Sequence, residues 1–234
     1  MTSSMLKANA RLLIKENMIK IFYVGIAYLL AIALLSFLQD HLPIPGKNIK
    51  DQMQLVISGE LYILDFNDMI RTGGLVLFFL IGLMLPVIHV GYDFYALKIT
   101  RKEEADFKEL LVGFSLFTKI ILLSLITTGL ILLWSLLLLF PGIMAYYKYR
   151  QAYFILLDDP AKPVMQCINE SKQMMNGRKV DLFLIDLSFL GWYALTLIVM
   201  LIIPSFPLVY IWLLPYYTLS QATYYNFILK EITT

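Results

Sequence analysis

The sequence has few residues that could carry chemistry. It contains one cysteine, Cys167, and two histidines, His41 and His89, which lie far apart. A single cysteine excludes an intrachain disulfide and a cysteine-built metal site, and the histidines show no ligand spacing. The sequence also lacks a nucleophile elbow, a phosphate-binding loop, a zinc-ligand pair and a dinucleotide fingerprint. We therefore expect no cofactor, no bound metal and no enzymatic activity.

Charge is also scarce. Charged residues make up 15% of the 234 residues and apolar residues 59%, whereas soluble proteins have about 25% charged residues. The net charge of +2 is too small to indicate a nucleic-acid partner. Ile120–Phe140 contains no charged residue at all, and a helix of roughly 20 apolar residues crosses a bilayer. The chain is therefore predicted to be a polytopic integral membrane protein.

Hydropathy and helix breakers predict one all-α membrane domain over residues 1–234, with six transmembrane helices arranged as three hairpins. The expected spans are 19–38, 72–97, 117–140, 143–157, 182–203 and 208–229. The fourth span is short and contains Lys148, Arg150 and Gln151, and charges inside a bilayer are unfavourable. The alternative for 143–157 is a cytoplasmic amphipathic helix in a five-span protein. Pro141-Gly142 favours a hairpin because it breaks the chain directly after the third span.

The distribution of basic residues predicts the orientation. Lys7, Arg11, Lys15 and Lys20 precede the first span, and basic flanks stay in the cytoplasm. The basic segments 98–108 and 158–181 then also lie inside, provided that 143–157 crosses. No cleavage pattern follows the first span, so it is expected to remain as an anchor. We expect a multi-pass membrane protein with both termini in the cytoplasm.

Similar segments suggest a threefold internal repeat. Residues 11–22 resemble 172–183, and 107–119 form a looser third copy. Each copy is predicted to be an amphipathic interfacial helix that leads into a span. The segment 46–70 has apolar residues at helical spacing and is predicted to form an external amphipathic helix.

Several polar residues fall within the predicted spans, and such residues are functional candidates by default. His89 and Asp93 are four residues apart and share a helix face. A neutralising cluster of Arg150, or less favourably Lys148, with Asp93 and Asp186 is expected. An ion-pair network that only holds helices together is favoured over a substrate or proton site. The full candidate set is His89, Asp93, Lys148, Arg150, Gln151 and Asp186.

Tyrosines suggest a lined cavity. Tyr146, Arg150 and Tyr153 lie at i, i+4 and i+7, on a face that is too polar to meet lipid. With Tyr216 and Tyr224, the tyrosines could line a cavity for a lipid or an amphipathic peptide. An interfacial aromatic belt explains many of them without a ligand and is the favoured interpretation.

The strongest motifs lie between residues 140 and 192: Phe140-Pro-Gly-Ile, the run from Tyr147 to Leu156, Asp159-Pro160, Glu170–Gly177 and Asp186–Trp192. They resemble domain-of-unknown-function family 975, whose members are bacterial membrane proteins common in Gram-positive species. Leu214-Pro-Tyr216, Ala222 and Tyr224-Tyr225 resemble the family's last span, which extends the resemblance over most of the chain. The family implies a fold and brings no established activity. Arg150 departs from its pattern, where serine is frequent.

We expect a non-enzymatic membrane protein that binds membrane lipids, or an amphipathic peptide, in envelope defence or transport. An ABC exporter is a further expected partner, and nucleic acid is not. Two alternatives remain: a transporter or channel subunit for a small solute, and a membrane-embedded lipid-modifying enzyme. The last is disfavoured because no acid–base group is paired with a nucleophile.

Overall fold

A computed structural model describes residues 3–42, 66–202 and 208–233, and every regular element in these ranges is a helix. A short 3-10 helix, Phe107–Leu111, lies between α3 and α4. The α-helices are α1 (Ser3–Glu16), α2 (Met18–His41), α3 (Phe66–Thr100), α4 (Val112–Ser115), α5 (Phe117–Leu137), α6 (Leu139–Tyr149), α7 (Ala152–Asp158), α8 (Val164–Met174), α9 (Lys179–Ser188), α10 (Leu190–Ile202) and α11 (Leu208–Thr233). Most of the predicted 46–70 helix lies outside the described residues.

Four helical stretches are long and apolar enough to cross a membrane: Met18–His41, Gly73–Thr100, Phe117–Leu137 and Lys179–Val199. They expose large apolar side chains, among them Leu30, Phe79, Leu132 and Leu197. Apolar surface of this extent is typical of contact with lipid. Over residues 3–42, 66–202 and 208–233 the protein is therefore all-helical, with four candidate membrane-spanning helices.

The structure departs from the prediction at the fourth span, 143–157, and at the sixth, 208–229, for two different reasons. Residues 143–157 do not form one helix, because α6 ends at Tyr149 and α7 begins at Ala152. The last span corresponds to α11, which has 26 residues. Its second half is rich in tyrosine and hydroxyl side chains and contains Gln221, so it is less apolar than the four candidates. Six spans remain a prediction.

The chain forms two compact units. The smaller, Leu30–Pro86, includes a hydrogen bond of 3.0 Å from Gln39 Nε2 to the Phe78 carbonyl oxygen. The larger comprises Met1–Leu29 and Val87–Thr234. In the larger unit α11 lies against α1 and α10, and Tyr216, Ser220, Ala222 and Ile228 of α11 are fully buried.

Two glycines bring backbones together in the larger unit. A Cβ at Gly91 on α3 would collide with the backbone of Leu110. Reciprocally, a Cβ at Gly113 on α4 would collide with the Val87 carbonyl. Both positions therefore need a residue without a side chain so that α3 can pack directly on residues 107–115.

The first amphipathic segment is covered by protein in this structure. Helix α1 buries Leu6, Ala10, Leu13 and Ile14 and packs against α11 and α9. A break separates it from α2 at Asn17, and comparable breaks stand before α5 at Leu116 and before α9 at residues 175–178. The three segments thus share a helix–break–helix pattern, and the threefold repeat itself stays a prediction.

Candidate functional site

A half-buried carboxylate on α9 connects three parts of the larger unit. Asp186 Oδ2 lies 2.6 Å from Arg150 Nη1 and accepts a 3.1 Å hydrogen bond from the Tyr147 hydroxyl. Asp186 Oδ1 accepts hydrogen bonds from the Tyr217 hydroxyl at 3.0 Å and from Gln221 Nε2 at 2.9 Å. We call these five residues the Asp186 cluster. It joins α9 to α11 and to the junction of α6 and α7.

The guanidinium of Arg150 is held on several sides. Its Nη2 donates to the Tyr217 hydroxyl, and that hydroxyl in turn donates to Asp186. The guanidinium also lies over the rings of Tyr146 and Tyr217, at 5.3 and 5.5 Å from their centroids. These cation–π contacts and the ion pair compensate for the partial loss of hydration. The side chains of Arg150 and Asp186 are 16% and 20% exposed.

The hydrogen bonds of Asp186 indicate what the cluster can do. An ionised carboxylate offers about four acceptor positions, and four donors already occupy those of Asp186. Asp186 therefore has no acceptor position left for a substrate or for a proton in transit. The geometry favours a network that holds helices together.

The break between α6 and α7 follows from this network. Arg150 and Gln151 form the turn between the two helices, and Arg150 is drawn towards partners on α9 and α11. Gln151 is fully buried, and neither of its side-chain amide atoms has a hydrogen-bond partner among the described residues. An unpaired buried amide is unfavourable, so Gln151 has unused hydrogen-bonding capacity inside the protein.

The other predicted polar residues lie elsewhere. His89 Nε2 is 4.0 Å from Asp93 Oδ2, and its Nδ1 is 3.1 Å from the Tyr28 hydroxyl. No ion pair in the described part of the chain joins Asp93 to Arg150. Lys148 is absent from the Asp186 cluster and lies over the Tyr149 ring, 5.4 Å from its centroid. Of the expected charge cluster, the structure brings together Arg150 and Asp186.

The four predicted lining tyrosines do not share one cavity. Tyr146 is 43% exposed, and Tyr153 is half-buried. Tyr216 is buried and accepts a 3.0 Å hydrogen bond from Arg11 Nε. Tyr224 is buried and donates to the carbonyl of Arg178 at 3.1 Å. The turn at Arg150 and Gln151 lies between Tyr146 and Tyr153, so the two tyrosines stand on different helices.

A groove does lie beside the Asp186 cluster. It has a volume of about 390 Å³, and its wall is mostly apolar. Tyr146 and Tyr147 contribute to this wall, and the same two residues contact Arg150 and Asp186. The lining residues are Ile131, Ser135, Leu139, Gly142, Ile143, Tyr146, Tyr147 and Phe183. The groove therefore has an apolar wall that leads to a polar network.

A second polar network ties the end of α3 to α7 and α11. Arg101 forms two hydrogen bonds with the Asp158 carboxylate, of 2.6 and 2.9 Å, and its Nε donates to Asn226 at 3.0 Å. The Tyr225 hydroxyl also donates to Asp158, at 2.6 Å. The hydrogen bond with Asp158 raises the pKa of Arg101, which keeps the guanidinium charged. This network fixes the helix ends around the α7–α8 loop.

Nothing in the described residues is arranged for metal binding or thiol chemistry. No group of three His, Cys, Asp or Glu side chains in these ranges is placed to hold a metal ion. Burial, together with the nearby Glu170, raises the pKa of the Cys167 thiol. A thiol with a raised pKa is a poor nucleophile.

Tyr147, Tyr217 and Gln221 complete the cluster, and sequence reasoning did not assign them to it. The spacing of Tyr217 and Gln221 is a sequence feature that could have identified them, because residues four apart lie on one face of α11. A carboxylate in an apolar helix needs several donors, and this face supplies two of them.

One family model matches the C-terminal part of the chain. Residues 136–231 match the family described as "Protein of unknown function (DUF975)". The matched range includes α6 to α10, most of α11 and all five residues of the Asp186 cluster. No curated protein and no solved structure matches the chain. The resemblance expected over most of the chain is therefore found over residues 136–231, which are similar to this family.

Proposed function

We propose that the chain is a non-enzymatic, six-span protein of the bacterial cytoplasmic membrane that binds a lipid or an amphipathic peptide in envelope defence or transport. The observation that carries this proposal is the groove beside the Asp186 cluster. A ligand with one apolar and one polar part matches a groove whose apolar wall includes Tyr146 and Tyr147, the two tyrosines that contact Arg150 and Asp186. An ABC exporter remains a proposed partner, to be tested by co-purification.

All four hydrogen-bond acceptor positions of Asp186 are occupied, and this favours a binding function over catalysis or conduction. A general acid or base needs a free position within hydrogen-bond distance of its substrate, and the Asp186 carboxylate already has four donors. A transport site built on this carboxylate would have to break those bonds in every cycle. A static polar end for an amphipathic ligand needs no such change.

Native mass spectrometry of the gently solubilised protein tests the proposal. The variant Ile143→Trp fills the groove, and Ile198→Trp is a matched control because Ile198 has similar exposure and lies outside the groove. We expect a retained lipid or peptide in the wild type and in Ile198→Trp, and its loss in Ile143→Trp. Equal retention in both variants, or no ligand in the wild type, contradicts the proposal.

Cysteine labelling tests the six-span topology. In a Cys167→Ser background, cysteines at Gly46 and Pro207 should label from outside, and one at Asn169 only after permeabilisation. These outcomes follow from the placement of basic residues on the cytoplasmic side. Labelling of position 169 in intact cells contradicts six spans and returns 143–157 to the cytoplasmic surface.

A further inference from the structure

A cavity of about 470 Å³ opens on the face of α6 opposite the groove and is lined by polar side chains alone. It lies between the end of α6, helix α8 and the start of α9. Its lining residues are Lys148, Asn169, Lys172, Gln173, Asn176 and Lys179. Three of these are lysines, three are amides, and none is acidic. The cavity therefore presents hydrogen-bond donors and positive charge without a neutralising carboxylate.

The missing carboxylate distinguishes these lysines from other basic residues of the protein. Lys98, Arg101, Lys162 and Arg178 each form an ion pair with an acidic side chain. Within the described ranges, no ion pair involves Lys148, Lys172 or Lys179. Like charges that share a site repel one another, so a cavity with three ammonium groups is complementary to an anion.

The arrangement of the lining residues on α8 supports one shared ligand. Asn169, Lys172, Gln173 and Asn176 are spaced at i, i+3, i+4 and i+7, so they project from one side of α8 and its following turn. Lys148 enters from α6 and Lys179 from α9. Lysine is a common phosphate ligand as a point charge, and amide N–H groups add donors to phosphate oxygens.

A smaller cavity adjoins the basic one and is largely apolar. Its volume is about 150 Å³, and it shares Lys148 and Lys179 with the larger cavity. The remaining lining residues are Trp134, Pro141, Met144 and Ala145. Trp134 belongs to α5, one of the four candidate membrane spans. Basic and apolar surfaces are thus joined through the same two lysines.

We propose that these two cavities bind one anionic phospholipid, with its phosphate headgroup among Lys148, Lys172 and Lys179 and an acyl chain along Trp134 and Met144. A free anion would use the basic cavity alone, whereas a phospholipid uses both. The site does not depend on the groove of the proposed function, since the two lie on opposite faces of α6. It requires only that the protein lies in a membrane.

Lipid titration of the purified full chain in detergent tests this site. The probes are phosphatidylglycerol and phosphatidylcholine with the same acyl chains, and the readout is the bound lipid observed by native mass spectrometry. We expect preferential binding of phosphatidylglycerol. The triple variant Lys148→Gln, Lys172→Gln, Lys179→Gln should bind it about a hundredfold more weakly, because a lysine near an anionic surface contributes about a fivefold effect.

A second triple variant controls for net charge. Lys15→Gln, Lys20→Gln, Lys108→Gln removes the same charge from exposed residues that line neither cavity, and it should bind like the wild type. If the first triple variant does not fold, Lys172→Gln alone changes an exposed residue and should weaken binding about fivefold. Ile143→Trp should leave the preference for phosphatidylglycerol over phosphatidylcholine unchanged, because Ile143 lines neither the basic nor the adjoining cavity, and this separates the site from the groove.

Three results would overturn the proposal. One is equal loss in the two triple variants, which would mean that only diffuse charge attracts the lipid. Another is equal binding of phosphatidylcholine and phosphatidylglycerol. The third is competition by inorganic phosphate at the same concentration as the lipid, which would show that the acyl chain contributes nothing and that a free anion is the ligand.

Discussion

Replacing Arg150 by alanine removes the positive charge and two donors from the Asp186 cluster. Breaking a buried ion pair by removing one partner destabilises a protein by roughly 3–5 kcal/mol. The lower end applies here, because Asp186 is 20% exposed and keeps three neutral donors. For a chain of this length, about 3 kcal/mol corresponds to a decrease in Tm of about 6–12 °C.

Removing the Asp186 charge as well should restore part of this loss. In Arg150→Ala/Asp186→Asn no carboxylate is left without its cation, so the double variant should be more stable than the sum of the single effects implies. Coupling energies of contacting residues are about 0.5–3 kcal/mol, and we expect about 2 kcal/mol for this ion pair. Arg101→Ala combined with Asp186→Asn is the control and should be additive, since Arg101 pairs with Asp158.

Thermal unfolding in one mild detergent, followed by tryptophan fluorescence, measures all variants under the same conditions. Additive effects at Arg150 and Asp186 would refute the reasoning, because they would mean that the two groups do not stabilise each other. Single variants as stable as the wild type would show instead that the guanidinium reaches the headgroups and is solvated there.

Three further perturbations have defined outcomes. Gly91→Ala should lower Tm, because the added Cβ overpacks against the neighbouring backbone and reduces the free energy of unfolding by about 1–3 kcal/mol. Gly129→Ala is the control and should leave Tm unchanged, because a Cβ at Gly129 meets no atom within 4 Å. Burial raises the pKa of Glu109, but its hydrogen bonds with Lys98 and a backbone N–H outweigh this and leave the pKa below its usual value. Because the pKa of Glu109 is lower in the folded state, the ionised carboxylate stabilises the fold above the unfolded-state pKa of about 4.3. That stabilisation is lost as the pH falls through the folded-state pKa. The Tm of Glu109→Gln should therefore fall less on acidification than the Tm of the wild type. Asp158→Asn weakens the hydrogen bonds to Arg101 and Tyr225. It should lower the free energy of unfolding by about 1–3 kcal/mol and Tm with it, and an unchanged melting curve would contradict this.

The apolar runs were sufficient to predict most of the helices. The expected spans 19–38 and 117–140 correspond to Met18–His41 and Phe117–Leu137. The third ends earlier than expected because Leu138 is extended, with φ −163° and ψ 148°, and separates α5 from α6. Hydropathy does not detect such a residue, since leucine is equally apolar in a helix and in a turn.

The partners of the candidate charges were harder to predict. Hydropathy estimates the depth of a residue along a span, but not the direction in which its side chain points. The predicted depth favours Asp186 over Asp93 as the partner of Arg150, and in the structure Asp186 forms the ion pair. The break at Arg150–Gln151 has the same origin, because it depends on partners on α9 and α11 that are distant in sequence.

The position of α1 has a consequence for how the protein is made. Lys7 Nζ donates to the carbonyl of Ser188 at 2.5 Å, and Arg11 Nε donates to the Tyr216 hydroxyl, 205 residues later in the chain. At about 5–20 residues per second, a ribosome needs on the order of 10–40 s to add those residues. Helix α1 leaves the ribosome well before α11 and can contact Tyr216 only after α11 has been synthesised. During that interval its apolar face needs a temporary partner, which the bilayer surface or a chaperone must supply.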